Sequence, residues 1–164
     1  MNRGSHGGCQ ERYHQTKGGE NMKVRELLET KGKEVFSMDA SSSVEDAIRF
    51  MADKKISAVI IEENSATAGI FTERDVVRCY INKAGRRFHD IPVSESMTKN
   101  LMVAELGDDL NSVMSVLVEK NIRHLPVVDQ GKVIGMLSIR DIVLSQVHKM
   151  TTEIHYLKDY IAGY

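Results

Sequence analysis

The chain has 164 residues, which is enough for one ordinary domain or for two small domains that share a core. Its formal net charge is −1 and aromatic residues make up only 5%, with no tryptophan, so the composition argues against nucleic-acid binding. No apolar run approaches the ~20 residues needed to cross a bilayer. Cys9 and Cys79 have neither metal-ligand nor redox spacing. We therefore expect a cytoplasmic protein without membrane or nucleic-acid partners.

Residues 1–21 are rich in glycine and polar side chains, with Met1 and Tyr13 as the only large apolar residues. Such a segment cannot bury enough apolar surface to offset the entropy lost on ordering. The composition predicts a disordered leader over residues 1–21.

The next segment alternates between strand and helix patterns. A lead-in strand is predicted over 34–38, and a helix follows Ser43, with apolar residues at helical spacing: Val44, Ala47, Ile48 and Met51. Residues 58–61 are apolar throughout, which is typical of a strand buried on both faces. A polar turn over 62–67, a return strand over 68–71 and a second helix beginning at Thr72 complete the unit.

The same order of elements recurs 66 residues later, and no gap is needed from position 44 to position 143. The second copy has a lead-in strand over 101–104, a helix with Leu110, Val113, Met114 and Leu117 on one face, and an apolar strand over 125–128. A tight hairpin at 129–131, a return strand over 132–137 and a helix beginning at Ser138 follow. Identical residues include Gly69 and Gly135, and Asp75 and Asp141.

Each β-α-β-β-α unit is too small to cover its own sheet, whereas two copies packed sheet to sheet would cover both. We therefore predict an α/β (α+β) fold with pseudo-two-fold symmetry. The predicted divisions are repeat 1 over 22–84, repeat 2 over 85–147 and a C-terminal helix over 148–164.

Residues 69–75 and 135–141 carry the candidate chemistry. In each, a strand ends on a hydroxyl residue that begins a helix, and an aspartate follows three residues later. Taken once, this pattern is most simply a capping box. The same groups also suit a phosphorylated ribose, because a helix N-terminus and an arginine attract phosphate and an aspartate accepts bonds from ribose hydroxyls. The duplication favours binding.

The repeated pattern of glycine, an apolar residue, any residue, threonine or serine, two residues and aspartate resembles the cystathionine-β-synthase-type (CBS) domain. Residues 123–129 are similar to the strand segment of second CBS copies, and the resemblance covers about residues 22–147. It implies a CBS pair shaped as a disk with two clefts, each able to bind an adenosine-bearing ligand. One repeat would hold the adenine, and the other would supply the hydroxyl, the basic residue and the aspartate.

The resemblance assigns residues to each cleft. Cleft A would be formed by Ile70, Thr72, Arg74, Asp75, Leu101, Ile122, Arg123 and His124. Cleft B would be formed by Lys31, Phe36, Ile56, Ser57, Ala58, Met136, Ser138, Arg140 and Asp141. Because Ser57 and Ala58 stand in cleft B where cleft A has Arg123 and His124, we expect cleft A to favour anions and cleft B to accept a less charged ligand.

These observations predict a non-enzymatic regulatory module that binds AMP, or the related ligands ATP, NAD or S-adenosylmethionine, and signals to an effector protein. A structural pairing module with empty clefts is the alternative. No pair of histidines has metal-ligand spacing, so no metal is expected. A stripe of Met150, Ile154, Leu157 and Ile161 on the C-terminal helix indicates either a cover for its own domain or, as we favour, a homodimer contact.

Overall fold

The computed structural model describes residues 22–162, and the predicted leader over 1–21 lies outside them. The described chain has five helices and six strands. The elements run in the order α1 (Val24–Lys31), β1 (Ser37–Asp39), α2 (Val44–Lys54), β2 (Ala58–Glu63), β3 (Ala66–Thr72), α3 (Glu73–Asn82), β4 (Ala104–Glu105), α4 (Leu110–Glu119), β5 (His124–Asp129), β6 (Lys132–Ser138) and α5 (Ile139–Ala162).

The strands form two three-stranded sheets with the same topology. Each has a central strand that pairs parallel with its lead-in strand and antiparallel with its return strand, in the orders β1-β2-β3 and β4-β5-β6. A register shift occurs at equivalent places, after Ile61 and after Val127. The predicted duplicated α/β fold is confirmed.

Alternation along β2 explains how the sheets pack. Val59 and Ile61 point into a core with the helix α2, whereas Ala58 and Ile60 point the other way. The second pair joins a cluster that includes Val128 of β5 and so lies between the two sheets. Because side chains alternate across a strand, a wholly apolar strand can serve both cores at once.

The two helical cores do not follow the sequence repeats. Val24, Leu27 and Leu28 of α1 pack with Leu110 and Leu125 in the core of the second sheet. Conversely, the connecting segment over 88–97, which contains two short 3₁₀ turns, packs with the first. The repeat boundary predicted at 84/85 therefore describes the sequence, while each packed unit combines two separate stretches of chain.

The lead-in strands are shorter and later than predicted over 34–38 and 101–104, so those bounds were wrong. Pairing with the central strands begins at Ser37 and Ala104. The residues ahead of them pack between the sheets instead, where Leu101 and Val103 are both buried. Apolar packing accounts for the residues that the sequence pattern assigned to a ladder.

Close packing explains the glycine that both repeats share. A Cβ atom at Gly69 would lie 2.7 Å from the carbonyl oxygen of Thr98, which exchanges two backbone hydrogen bonds with Ile70. A Cβ atom at Gly135 would lie 2.9 Å from the Cδ2 methyl of Leu28, on α1. Each glycine thus lets a segment from outside its own repeat approach the sheet.

We expect Gly69→Ala to lower the free energy of unfolding by about 1–3 kcal/mol, because a backbone oxygen cannot easily move aside. Gly135→Ala should cost less, since the end of the Leu28 side chain can shift. Urea denaturation followed by circular dichroism measures both changes. Gly107→Ala is the matched control, because a Cβ there meets nothing within 4 Å. Equal losses at Gly69 and Gly135 would contradict this explanation.

Candidate functional site

Both repeated motifs lie where a return strand passes directly into a helix. At the start of α3 the backbone N–H and the hydroxyl of Thr72 donate to Oδ2 of Asp75, at 2.9 and 2.7 Å. At the start of α5 the same groups of Ser138 donate to Oδ2 of Asp141, both at 2.8 Å. The capping interaction is therefore present in both repeats. A ligand at either aspartate must bind through the acceptor positions that these capping bonds do not use.

Cleft B is a cavity of about 830 Å³ between β2 and the start of α5. All nine residues predicted for this cleft line it: Lys31, Phe36, Ile56, Ser57, Ala58, Met136, Ser138, Arg140 and Asp141. That they bind a ligand stays a prediction. The sequence reasoning missed Ile48 and Met51, which also line the cavity. Their helical spacing was read only as a core pattern, although the same face of α2 extends to the cleft wall.

The side chain of Asp141 is 23% exposed, lines this cavity and forms an ion pair with Lys31. Burial alone raises the pKa of Asp141, but hydrogen bonds from Lys31 and Ser138 outweigh it and hold the pKa below its usual value. Lys31 and Ser138 both reach Oδ2. Among the residues that the structure describes, none donates to Oδ1, which leaves that oxygen able to accept a ligand hydroxyl.

Other charged groups complete the wall of cleft B. Arg140 is exposed, and its guanidinium has no ion-pair partner within residues 22–162. Lys55 lines the cavity as well, and the acidic residues Glu34 and Glu73 balance this charge. Phe36, Ile48, Met51, Ile56 and Val76 supply apolar wall. The cavity can therefore hold a flat apolar group at one side and an anion beside Arg140.

Cleft A is a much smaller cavity of about 210 Å³ at the start of α3. Seven of its eight predicted residues line it: Ile70, Thr72, Arg74, Asp75, Ile122, Arg123 and His124. Leu101 does not line it, because it is 7% exposed and packs between the sheets, and its role in cleft A stays a prediction. Arg74 donates to the backbone and side-chain oxygens of Asn121 and so bridges the two repeats across the cleft.

Asp75 lies in a different environment from Asp141. Its side chain is only 3% exposed, and its Oδ1 accepts from Arg78 at 3.3 Å and from Thr98 at 3.4 Å. Both oxygens of this carboxylate therefore have protein donors. The identical sequence position is a buried structural group in the first repeat and a cavity-facing group in the second.

Comparison with known proteins agrees with the geometry. The sequence profile of the CBS domain matches residues 24–82 and 90–148. The chain belongs to the CBS domain family. Pairs of CBS domains generally serve as regulatory ligand-binding modules.

Individual relatives show the same similarity over most of the chain. The mitochondrial CBS domain-containing protein CBSX3 of Arabidopsis thaliana is 32% identical over 158 residues, which is 89% of this chain and 75% of the relative. A CBS-domain protein from Agrobacterium tumefaciens has a solved structure with a TM-score of 0.73 and 30% identity, covering 76% of this chain and 99% of its own. A CBS pair solved with 5′-methylthioadenosine and S-adenosyl-L-methionine shares the fold, with a TM-score of 0.68 at 22% identity, covering 79% and 98%.

Within residues 22–162, no group of three or more histidine, cysteine or acidic side chains has the arrangement of a metal site. Over the same stretch, no helix has the length and apolar character to span a membrane.

A polar contact joins the two clefts of the CBS pair. The hydroxyl of Ser57 lies 2.9 Å from Nε2 of His124, and both residues line both cavities. Burial lowers the pKa of His124, and the nearby cations Lys31, Arg123 and Arg74 lower it further, against an opposing effect of Asp141. The ring is therefore neutral at neutral pH, and it gains its proton at a lower pH than an ordinary histidine.

We expect this neutral histidine to make the folding stability depend on pH. The folded pKa lies below the unfolded value of about 6.5, so the unfolded chain binds the proton first and stability falls as the pH drops below 6.5. Urea denaturation between pH 5 and pH 8 measures this slope, and His124→Gln should reduce it. His89→Gln is the control, because the side chain of His89 is 73% exposed. An equal change of slope in both variants would exclude His124 as the cause.

Proposed function

We propose that this CBS pair is a non-catalytic regulatory module that binds an adenosine-containing ligand, AMP first among them, in cleft B. The observation that carries the proposal is the difference between the two aspartates, since Asp141 faces a large cavity and Asp75 is buried with both oxygens bonded. Small-molecule sites are usually about 300–1,000 Å³ in volume. Cleft B lies inside that range at about 830 Å³, and cleft A lies below it at about 210 Å³.

Each part of a nucleoside monophosphate has a counterpart in cleft B. The apolar wall with Phe36 and Ile56 suits the adenine ring. Oδ1 of Asp141, which accepts from no residue within 22–162, suits a ribose hydroxyl. Arg140 suits the phosphate through charge-assisted bonds, which is why a phosphorylated ligand is preferred over S-adenosylmethionine. The related CBS pair solved with two adenosine compounds makes this class the first to test.

This proposal reverses the order of the clefts expected from the sequence, where Arg74, Arg123 and His124 favoured an anion in cleft A. Arg74 is engaged with Asn121, and His124 is neutral with Ser57 beside it. A ligand in cleft A must first displace Arg74 from Asn121. We therefore propose that cleft B fills at lower ligand concentration than cleft A, with ATP and NAD as the remaining candidates for the larger space.

A structural pairing module is the second candidate, because the ion pair with Lys31 and the capping bonds from Ser138 already satisfy Oδ2 of Asp141 without any ligand. The two candidates differ in what a nucleotide does. A ligand-binding module is stabilised by RT ln(1 + [L]/Kd), or about 2.7 kcal/mol at a hundredfold excess over Kd. A structural module is not stabilised at all.

We expect Asp141→Asn to weaken AMP binding by roughly 10–150-fold, because a hydrogen bond to a charged group contributes about 1.5–3 kcal/mol. Isothermal titration calorimetry measures the affinity. Asp75→Asn is the matched control at the equivalent position of the first repeat. It should lower the stability by about 1–3 kcal/mol and leave the tighter AMP affinity unchanged.

Three outcomes would count against this proposal. No AMP binding by the wild-type chain favours the structural module. Equal loss of affinity in Asp75→Asn and Asp141→Asn removes the distinction between the clefts. Equal binding of GMP and AMP removes the preference for adenine.

We also propose that the module works as a homodimer and that an effector protein responds to the occupied cleft. Exposed apolar side chains occur at equivalent positions of the two repeats, Val77 and Ile81 on α3 and Val143 and Val147 on α5. Such a patch on a protein surface marks an interaction site, and its internal symmetry suits a second copy. For the compartment we keep the cytoplasm as a proposal, although the name of the Arabidopsis relative assigns that protein to mitochondria.

Val77→Glu and Val143→Glu should each lower the dimer fraction in sedimentation equilibrium, because a carboxylate at the centre of an apolar interface loses its hydration. Circular dichroism checks that each variant folds, and both positions are exposed at 59% and 47% in one copy of the chain. An unchanged dimer fraction in both variants would place the contact elsewhere.

A further inference from the structure

Residues 147–162 of α5 bury no side chain against the rest of the described chain. Ile142 is buried at the start of this helix, whereas every residue from Val147 to Ala162 is exposed. A helix of this length without tertiary packing is marginal in water, because nucleation is costly and each residue adds little. The alternative that this segment covers its own domain therefore finds no support among the described residues, and the exposed apolar side chains suit another surface.

The apolar residues of α5 follow a coiled-coil pattern. Steps of four and three alternate along the exposed set Val143, Val147, Met150, Ile154, Leu157 and Ile161. In a heptad repeat, the β-branched residues Val147, Ile154 and Ile161 occupy the a positions. Met150 and Leu157, which are not β-branched, occupy the d positions between them. β-Branched a positions combined with leucine at d favour parallel two-stranded coiled coils.

Charge fixes the relative direction of the two helices. In the same heptad frame Glu153 is at g and Lys158 is at the following e position. A parallel pair brings each g residue beside the next e residue of the other helix, so Glu153 would meet Lys158 of a second copy twice. An antiparallel pair brings g beside g and e beside e, so Glu153 would not meet Lys158 and this attraction would be lost.

We propose that residues 147–161 form a parallel two-stranded coiled coil with the same segment of a second copy of this chain. The proposal rests on the homodimer proposed above for its partner, and adds the direction, the register and the charged pairs of the tail. It does not depend on the ligand. The stripe continues from Val143, on the face of α5 proposed for pairing, so the tail extends that interface.

Disulfide trapping tests the register. Leu157→Cys in a Cys9→Ser background places one thiol at a d position, where a parallel pair brings the two copies of residue 157 together. Mild oxidation should give a disulfide-linked dimer as the main product. Thr152→Cys is the control at the f position, on the opposite side of the helix, and should remain unlinked. Cys79 is 2% exposed and should not interfere.

The outcomes separate this proposal from the proposed homodimer. A chain that sediments as a dimer but gives no Leu157→Cys product keeps the homodimer and overturns the coiled coil. Equal linking at positions 152 and 157 overturns the register. A monomer in sedimentation overturns both, and the AMP titration is unaffected by any of these results.

A charge exchange tests the direction. Glu153→Lys and Lys158→Glu should each raise the dimer dissociation constant roughly tenfold, because two attractive pairs become repulsive. The double variant restores the opposite charges and should return close to the wild-type value. In an antiparallel pair the single variants and the double variant would behave alike, and that result would overturn the parallel arrangement. Circular dichroism of each variant checks that the body stays folded.

Discussion

The architecture depends on burying the inner faces of two small sheets against each other. A three-stranded sheet with helices on one side leaves its other side open, and the buried cluster that includes Ala58, Ile60 and Val128 closes it. The short apolar strands serve this contact with one face and their own helical core with the other. That contact sets the start of each second helix beside the central strand of the opposite repeat, which is where the two clefts lie.

The inequality of the clefts follows from segments that belong to neither duplicated unit. The helix α1 comes before the first repeat in sequence but packs on the second, where it brings Lys31 to Asp141. The connecting segment packs on the first repeat, where Thr98 covers Asp75. Two aspartates in the same local motif, with the same capping bonds, thus acquire different exposure. The difference in exposure arises because a different segment of the chain packs beside each aspartate.

The difference between local patterns and tertiary packing also explains what the sequence could predict. The repeat of 66 residues, the strand cores and the helix starts at Thr72 and Ser138 are local patterns, and their periodicity was enough to identify them. The helix α1 was missed, although Val24, Leu27 and Leu28 have helical spacing, because a short segment beside a glycine-rich leader gave no second signal. The volume of each cleft and the hydrogen bond from Arg74 to Asn121 are tertiary properties. They cannot be predicted from the spacing of residues along the chain. The position of Leu101 between the sheets is also a tertiary property, since an apolar residue ahead of a strand can line a cleft or fill the space between sheets.

The helix α5 directly connects cleft B with residues 147–161, the segment proposed to form the coiled coil. Ser138 and Asp141 lie at its first turn in cleft B, and its 24 residues extend about 36 Å at 1.5 Å per residue. A ligand whose hydroxyl donates to Asp141 acts on the same carboxylate that Lys31 holds, and Lys31 lies at the end of α1, which packs against α5. Because a helix is stiff along its axis, a change in angle at its first turn becomes a larger displacement at its far end. A ligand can shift that angle only by binding one arrangement more tightly than the other. The contact between Lys31 and Asp141 is the point where such a difference in affinity would arise, since it is the one ion pair between α1 and α5 within the described residues.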